Sequence, residues 1–406
     1  MQNKPLWGDK YSWAAAFSVA SVWFGTHVGG GFASGNQVIQ YFAQYGITAA
    51  IYPLLSMGFL AFLMYIMMKF AKLNGFDNYK DTYRALYPKP QMEILFEIFY
   101  IVILLAAMAA AVTGAGNVFA NFVGIEYVGT AKVLCNLLIV VILILLTIFG
   151  IKLVIAASTV LSIAIIVVVA VMVIVGMTAP FKEIAAQLMQ ANGVKELTPY
   201  TVDPLNAAWR GILVYCGFQC ISIGPMIAAA PELNQKGLKR TAILGAIMNG
   251  GALAVSGLML YKWYPLLKAL MDAGVDGFKT ALNIPNQTVL TIIGIKWVLV
   301  LFSVLLFCAF VSTCVTLTYS MVQRFQGYFF PKSIKSEKAR GVIVGAITIA
   351  VCFAVSLLGL TKIIVFAYGY CGYYSLVFIV IPALIWGIPK CKKLEAEQKA
   401  AATAAE

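Results

Sequence analysis

The chain has 406 residues, of which 62% are hydrophobic and only 11% are charged, and its mean hydropathy is +0.89. Soluble globular domains carry about 25% charged residues, so the composition excludes that class and indicates a protein built into a membrane. The net charge of +13 could suggest a nucleic-acid partner. The positions of the basic residues along the chain test that interpretation.

Apolar runs long enough to cross a bilayer, about 20 residues each, recur along the whole chain. We predict ten membrane-spanning segments, numbered 1 to 10, at residues 12–44, 46–71, 93–122, 130–150, 153–177, 205–230, 241–264, 288–323, 341–359 and 362–387. In lipid a helix satisfies its own backbone hydrogen bonds, so these apolar runs of helical length predict an all-α integral membrane protein.

The basic residues are distributed unevenly between the loops. With the N-terminus placed in the cytoplasm, 20 of the 29 Lys and Arg residues fall on the cytoplasmic side and 9 fall outside. The positive-inside rule therefore predicts a multi-pass protein of the cell membrane with both termini in the cytoplasm. The basic excess is explained by topology, and no nucleic-acid partner is expected.

Segment 1 contains the stretch THVGGGFASGNQ at 26–37, and segment 6 contains YCGFQCISIGP at 215–225. Glycine disfavours a helix interior by roughly 1 kcal/mol relative to alanine, so both stretches predict interrupted helices. Unpaired carbonyls and amides at such a break can bind a cation and a carboxylate. The alternative is a kink or a close helix crossing made by small residues.

The two interruptions open two halves of five segments each, with the third segment the longest in each half. We predict a first repeat at 1–178, an external loop at 179–204, a second repeat at 205–388 and a cytoplasmic tail at 389–406. Because five is odd, the second half enters the membrane from the opposite side, which makes the repeats inverted. This prediction depends on layout alone, since the halves share no clear residue-by-residue similarity.

The stretch GGGFASGNQVIQYF resembles the GAGFASGQE-type signature of the YkvI-like amino-acid permeases. These belong to the amino acid–polyamine–organocation superfamily, and the resemblance implies the LeuT fold, with ten helices in a 5+5 inverted repeat and segments 1 and 6 broken. The sequence departs from the signature at Asn36 and Gln37, where Gln and Glu are expected.

The resemblance also implies a sodium site. FGTHVGGGF is similar to the LeuT break, and AFVSTC at 309–314 is similar to the sodium-binding stretch of segment 8. The implied ligands are the carbonyls of Gly25, Val28 and Ala309 and the hydroxyls of Ser312 and Thr313. Adjacent hydroxyls in membrane helices also serve as hydrogen-bonding links between helices. Apart from sodium, no cofactor is expected.

The same resemblance implies that the backbone amides of Gly29 and Gly31 bind a substrate carboxylate, with Phe32 beside them. The second interruption is expected to line the rest of the substrate site through Tyr215, Gly217, Phe218 and Gln219, with carbonyls that accept an ammonium. His27, the only histidine, is either a buried packing residue or a functional group that contacts substrate or carries a proton.

These features predict a secondary active transporter, coupled to sodium, for a small carboxylate-bearing solute such as an amino acid. Proton coupling through His27 is the alternative within transport, and a channel or receptor on the same scaffold is the alternative outside it. An enzyme is not expected, because the chain has one histidine and no acidic residue in the middle of a segment. The sequence leaves the solute, the stoichiometry and the oligomeric state open.

Overall fold

The structure is a computed structural model that describes residues 12–146, 164, 167–231, 233–325 and 336–405. Within those ranges every regular element is a helix, which confirms the all-α class. Most of predicted segment 5, and the end of segment 4 from 147 onward, lie outside the described residues.

Fifteen labels cover the described α-helices and composite spans. They are α1 Trp13–His27, α2 Gly30–Ala33, α3 Asn36–Tyr41, α4 Tyr52–Asn74, α5 Tyr79–Leu86, α6 Ile94–Val123, α7 Gly129–Leu145, α8 Val167–Thr178, α9 Phe181–Ala191, α10 Pro204–Ala229, α11 Gln235–Asp272, α12 Pro285–Ile293, α13 Lys296–Phe325, α14 Glu337–Ser356 and α15 Leu360–Gln398. Two 3-10 helices, Ala43–Ala50 and Pro90–Glu93, precede α4 and α6.

The apolar sequence produces seven described helices that are long and apolar enough to cross a membrane. The consecutive helices α8 and α9 meet at 80° and count as an eighth span if they are taken together, and α7 is a shorter apolar helix. Large apolar side chains such as Phe62 and Ile247 stay exposed along these helices, as expected of surfaces that face lipid. A multi-pass membrane protein is confirmed, whereas the number ten stays a prediction.

Segment 1 is divided as its glycines predict. The helix α1 ends at His27, Gly29 is extended, and α2 and α3 follow as two short helices. Gly35 joins α2 to α3 with a φ of 83°, a left-handed conformation that a residue with a side chain adopts only under strain.

Segment 6 differs from its prediction. Residues 204–229 form one continuous helix, α10, in which Trp209–Val214 is a π-helical stretch and Cys220–Ser222 is a 3-10 turn. The backbone of Gln219 and Ser222 remains in the right-handed helical region. The glycines here therefore change the winding of the helix without interrupting it, and the break predicted for this segment is absent.

Segments 7 and 8 also have other boundaries than predicted. The helix α11 continues to Asp272 and has 38 residues, so segment 7 exceeds segment 8 in length. The predicted segment 288–323 is divided at Gly294, where φ is 81°, into the short helix α12 and the long helix α13. The hydrophobic pattern of 288–323 alone does not show that its first residues belong to the separate short helix α12.

The helices pack in two groups. One group consists of α1, α4, α10 and α11, where Gly245 and Gly257 of α11 admit the Trp23 ring and the Ala49 carbonyl at close range. The other consists of α6, α7, α13 and α14. The first group contains the first two segments of each half of the chain, and the second group contains the third and fourth segments of each half. This arrangement is what an internal repeat would produce, although the 5+5 repeat and the domain boundaries remain predictions.

The loops gather at two ends of the bundle. At one end, Lys69 forms a 2.8 Å ion pair with Glu395, and Gln398 donates to the Leu73 carbonyl. At the other end, the Thr201 amide donates to the Gln44 carbonyl. The described loops that the basic residues assign to the cytoplasm thus lie at one end, which we call the basic end, and the remaining described loops lie at the other, which we call the outer end.

Candidate functional site

The break in segment 1 leaves several backbone groups without partners. Val28 leaves the helical region with φ −81° and ψ 61°, and the Gly29 amide turns back to the His27 carbonyl at 2.9 Å. As a result, no described residue donates to the carbonyls of Gly25 and Val28. On the far side of the break, the amides of Gly30 and Gly31 have no acceptor among the described residues. The free amides are therefore that of Gly31, which belongs to the predicted pair, and that of Gly30 in place of Gly29.

The five predicted sodium ligands lie around one cavity of about 320 Å³. Segment 1 contributes Gly25 and Val28, and α13 contributes Ala309, Ser312 and Thr313. A Cβ built on Gly29 would lie 4.0 Å from the Thr313 Oγ1 atom, which places that hydroxyl directly across the break. The Ser312 hydroxyl donates to the Ala309 carbonyl at 3.0 Å and keeps its lone pairs for another partner.

A second, smaller cavity of about 120 Å³ adjoins the first one, with which it shares Thr26, Gly29, Ile221, Thr313 and Leu317. Six predicted substrate residues line it: His27, Gly29, Gly31, Phe32, Phe218 and Gln219. Its opposite wall is α6, which presents Ile103, Ala107, Ala110 and Ala111. The described lining of both cavities contains no Asp, Glu, Lys or Arg, so the site suits a ligand without net charge together with a small cation.

Two predicted substrate residues do not line this cavity. Tyr215 is fully buried behind it, with the Tyr41 ring edge-on and the Phe42 ring tilted against it. Gly217 lies at a helix crossing, where a Cβ would come within 2.5 Å of the Gly372 carbonyl. Its role is therefore the close packing of α10 on α15. This is the close helix crossing that the sequence left open as the alternative to a break.

His27 is held by two hydrogen bonds that a neutral imidazole can satisfy. Asn249 donates through Nδ2 to the Gly245 carbonyl, so its Oδ1 atom must accept from His27 Nδ1–H at 2.6 Å. His27 Nε2 lies 2.8 Å from the Tyr215 hydroxyl, which can then donate to it. This set of donors and acceptors is complete for a neutral imidazole. The geometry supports a positioning role more than a proton-carrying role.

Asparagine side chains close the outer end of the site. Asn36 donates to the Leu282 carbonyl at 2.6 Å and to the Thr361 hydroxyl at 3.1 Å. Asn286, at the start of α12, donates to the Ala33 carbonyl at 2.9 Å. In the sequence, Asn36 is visible only as a departure from a signature. Its hydrogen-bond partners could not be predicted, because they lie 246 and 325 positions away in the chain.

The opposite end of the site is open. Gly25, Thr26 and Thr316 line the larger cavity and are exposed, whereas residues 36–43 on the outer side are all buried. The cavity extends past Tyr100 and Ser320 towards the basic end. The conformation is therefore closed at the outer end and open at the basic end.

The ring of Phe310 sets the distance between three helices around the site. A Cβ on Gly30 would lie 2.1 Å from Phe310 Cδ1, and a Cβ on Gly114 would lie 2.2 Å from its Cζ atom. The fully buried ring thus fits between α2 and α6 because both positions are glycine. Phe310 directly follows Ala309, so this packing also fixes the register of the candidate sodium ligands on α13.

The tyrosines of segment 10 separate into different environments. Tyr368 lines the smaller cavity and meets Phe218 edge-on at 5.1 Å. Tyr370 is 68% exposed, and the Tyr374 hydroxyl donates to the Leu95 carbonyl. At the outer end, the Arg210 guanidinium lies 5.4 Å above the Tyr41 ring. Of these three tyrosines of segment 10, only Tyr368 lines either cavity.

A family model described as amino acid permease matches residues 13–261, which is well over half of the chain. The chain belongs to the amino acid permease family. This assignment agrees with the predicted superfamily and with a membrane transporter, while the YkvI-like subfamily stays a prediction. The matched range includes the break of segment 1 and the whole of α10, but not α13.

Solved structures support the fold. The structure of MhsT in complex with L-phenylalanine is 15% identical in sequence, covers 95% of this chain and 96% of its own, and has a TM-score of 0.56. A manganese transporter from Eremococcus coleocola is 20% identical, covers 93% of this chain and 78% of its own, and has a TM-score of 0.46. At 15% identity the likeness to MhsT extends to the fold alone. The likeness to the manganese transporter is too slight to support the fold. No curated protein matches the sequence significantly.

Proposed function

We propose that the protein is a secondary active transporter that moves a small amino acid across the cell membrane, coupled to sodium, by alternating access. The observation that carries the proposal is the pair of adjoining cavities at the break of segment 1. One cavity is lined by the five candidate sodium ligands and the other presents two free amides, and no described Asp, Glu, Lys or Arg lines either of them.

The larger cavity suits a sodium ion. A hard cation prefers several oxygen ligands, and the carbonyls of Gly25, Val28 and Ala309 with the hydroxyls of Ser312 and Thr313 would supply five without a charged residue. Segment 1 and α13 belong to the two different packing groups. An ion held between them would therefore link binding to the relative position of the groups, which is what coupling requires.

The smaller cavity suits the solute. The amides of Gly30 and Gly31 would donate to its carboxylate, and the alanines of α6 with Phe32 and Phe218 would surround an apolar side chain. The family to which the chain belongs supports an amino acid as the solute.

Uptake into proteoliposomes tests the proposal. The purified protein is reconstituted, and the uptake of labelled L-amino acids is measured under an imposed sodium gradient, an imposed pH gradient or no gradient. We expect saturable uptake that requires the sodium gradient, together with exchange of labelled for unlabelled amino acid when both sides hold substrate. Uptake driven by a pH gradient without sodium would favour proton coupling, and flux without exchange would favour a channel.

A further inference from the structure

Gln37 has a side-chain amide whose oxygen has no hydrogen-bond partner among the described residues. It lies in the first turn of α3, is 5% exposed, and lines the smaller cavity. Its Oε1 atom is enclosed without a hydrogen-bond partner, and no described residue pairs with its Nε2 atom either. The Nε2 atom lies 2.6 Å from the position that a Cβ on Gly31 would take. The amide head therefore lies flat against the glycine whose backbone amide is free.

The surroundings offer no internal solution for this head. The facing wall is made of Ala107, Ala110 and Ala111, which have no polar side-chain atoms. Buried polar groups are almost always hydrogen-bonded, and leaving one unpaired destabilises the folded state. Because no hydrogen bond among the described residues holds the head, the amide can turn about its terminal bond and present Oε1 in place of Nε2. The missing partner is then a molecule that enters the cavity.

The chemistry of that molecule follows from what the rest of the site provides. Hydrogen-bond donors for a carboxylate are available at the Gly30 and Gly31 amides. The carbonyls of segment 6, which we expected to accept the substrate ammonium, belong to the continuous helix α10. The free carbonyls of Gly25 and Val28 line the larger cavity, where they are candidate sodium ligands. In the smaller cavity, Gln37 offers an unpaired acceptor next to Gly31.

We propose that Gln37 Oε1 accepts a hydrogen bond from the substrate ammonium, so that the cavity binds α-amino acids in preference to 2-oxo acids of the same shape. This assignment depends on the proposed function, because it takes the smaller cavity as the substrate site. It adds a specificity-determining residue that the sequence signature did not identify.

Direct binding to the purified full-length protein tests it. Two matched pairs of probes are used, L-alanine with pyruvate and L-leucine with 4-methyl-2-oxopentanoate, which differ at the group that would face Gln37. The variants are Gln37→Met, which removes the acceptor at similar size, and Gln37→Glu, which keeps an acceptor and removes the donor. Gln40→Met is the matched control, since Gln40 is buried on the same helix but does not line the cavity.

We expect Gln37→Met to raise the Kd of the amino acids by roughly ten- to hundredfold, because one hydrogen bond to a charged group is lost. The Kd of the 2-oxo acids should not change. Gln37→Glu should retain the amino acids and weaken the 2-oxo acids, because a carboxylate attracts an ammonium and repels an anion. Gln40→Met should change neither class.

Two results in the variants would overturn the assignment while the proposed function stands. One is an equal loss of amino acids and 2-oxo acids in Gln37→Met, which indicates a structural role. The other is loss of amino acids in Gln37→Glu with a normal melting temperature, which indicates that the head donates to the carboxylate. If the wild type binds none of the four probes, the proposed function fails first, and the assignment fails with it.

Discussion

The hydroxyls of Ser312 and Thr313 provide the sharpest test of sodium at the scale of single residues. Removing both in Ser312→Ala/Thr313→Ala takes away the two side-chain oxygens of the candidate site and leaves the carbonyls in place. The loss of a buried polar partner costs about 1–3 kcal/mol, so the sodium concentration for half-maximal uptake should rise roughly ten- to hundredfold or more. Sodium titration of proteoliposome uptake measures it.

Thr316→Ala is the matched control for this pair. Thr316 lies one turn further along α13 and lines the same cavity, but it is not a candidate ligand. It should leave the sodium requirement within about twofold of the wild type. If Thr316→Ala and the double variant behave alike, the sodium site lies elsewhere.

His27 gives a second residue-scale prediction, which separates a structural from a proton-carrying histidine. In His27→Gln the new amide can donate to Asn249 Oδ1 and accept from the Tyr215 hydroxyl, the two groups that His27 contacts. Sodium-driven uptake should therefore persist. In His27→Leu both partners lose their hydrogen bond, and the free energy of unfolding should fall by about 1–3 kcal/mol for each unsatisfied group.

Thermal melting in detergent and gradient-driven uptake measure the two effects of His27. A protein that transports on a pH gradient without sodium, and stops doing so in His27→Gln, would refute the sodium mechanism in favour of the proton-coupled alternative.

At the scale of elements, the fit of Phe310 between two glycines predicts a specific sensitivity. In Gly114→Ala the new methyl group meets the Phe310 ring, which is enclosed on its other side by Gly30. Overpacking of this kind typically costs about 1–3 kcal/mol. The displaced ring should also shift Ala309 and raise the sodium requirement. Phe310→Leu in the same chain should recover part of both losses.

The control for Gly114 is Gly58→Ala on α4, where a Cβ would meet nothing within 4 Å. Alanine there should be neutral or should stabilise the helix by up to about 1 kcal/mol. The melting temperatures of Gly114→Ala, Gly114→Ala/Phe310→Leu and Gly58→Ala measure these differences in stability. A Gly114→Ala protein as stable as Gly58→Ala would contradict the packing described for Phe310.

The comparison of segments 1 and 6 shows what sequence could and could not predict about the elements. Three consecutive glycines, 29–31, were enough to predict the break in segment 1, and the five oxygen-bearing residues inferred from the resemblance do lie around one cavity. The isolated glycines of segment 6 were not enough, since Gly217 serves a helix crossing. Glycine composition does not distinguish a break from a close contact, because the difference lies in the neighbouring helix.

The substrate side of the site was less predictable for a related reason. Gln37 and Asn36 were visible as departures from a signature, but their roles depend on groups far away in the chain. Asn36 closes on residues 282 and 361, and Gln37 faces α6. A single sequence carries no record of such pairings, so only the folded arrangement identifies them.

At the scale of the whole molecule, orientation in the membrane is the main prediction left to test. The contacts of the loops sort them between two ends, and the positive-inside rule assigns the basic end to the cytoplasm. The eight native cysteines give little background, because seven are buried and Cys308 is partly buried. We expect an impermeant thiol reagent applied to intact cells to label Lys195→Cys and to leave Lys89→Cys unlabelled until the membrane is permeabilised.

Both test positions are exposed and lie in loops at opposite ends. Labelling of Lys89→Cys in intact cells would reverse the orientation. The state that is open at the basic end would then face the outside, and the direction in which the described conformation releases solute would be reversed with it.

The open end has a consequence for pharmacology. A blocker that enters from the basic end reaches the larger cavity first, where Thr316 and Ser320 lead to the candidate sodium ligands, and it meets the solute cavity only beyond them. Such a compound would compete directly with the proposed ion, and with the amino acid only through the coupling of the two sites. Its half-inhibitory concentration should rise more steeply with sodium on that side of the membrane than with the amino acid.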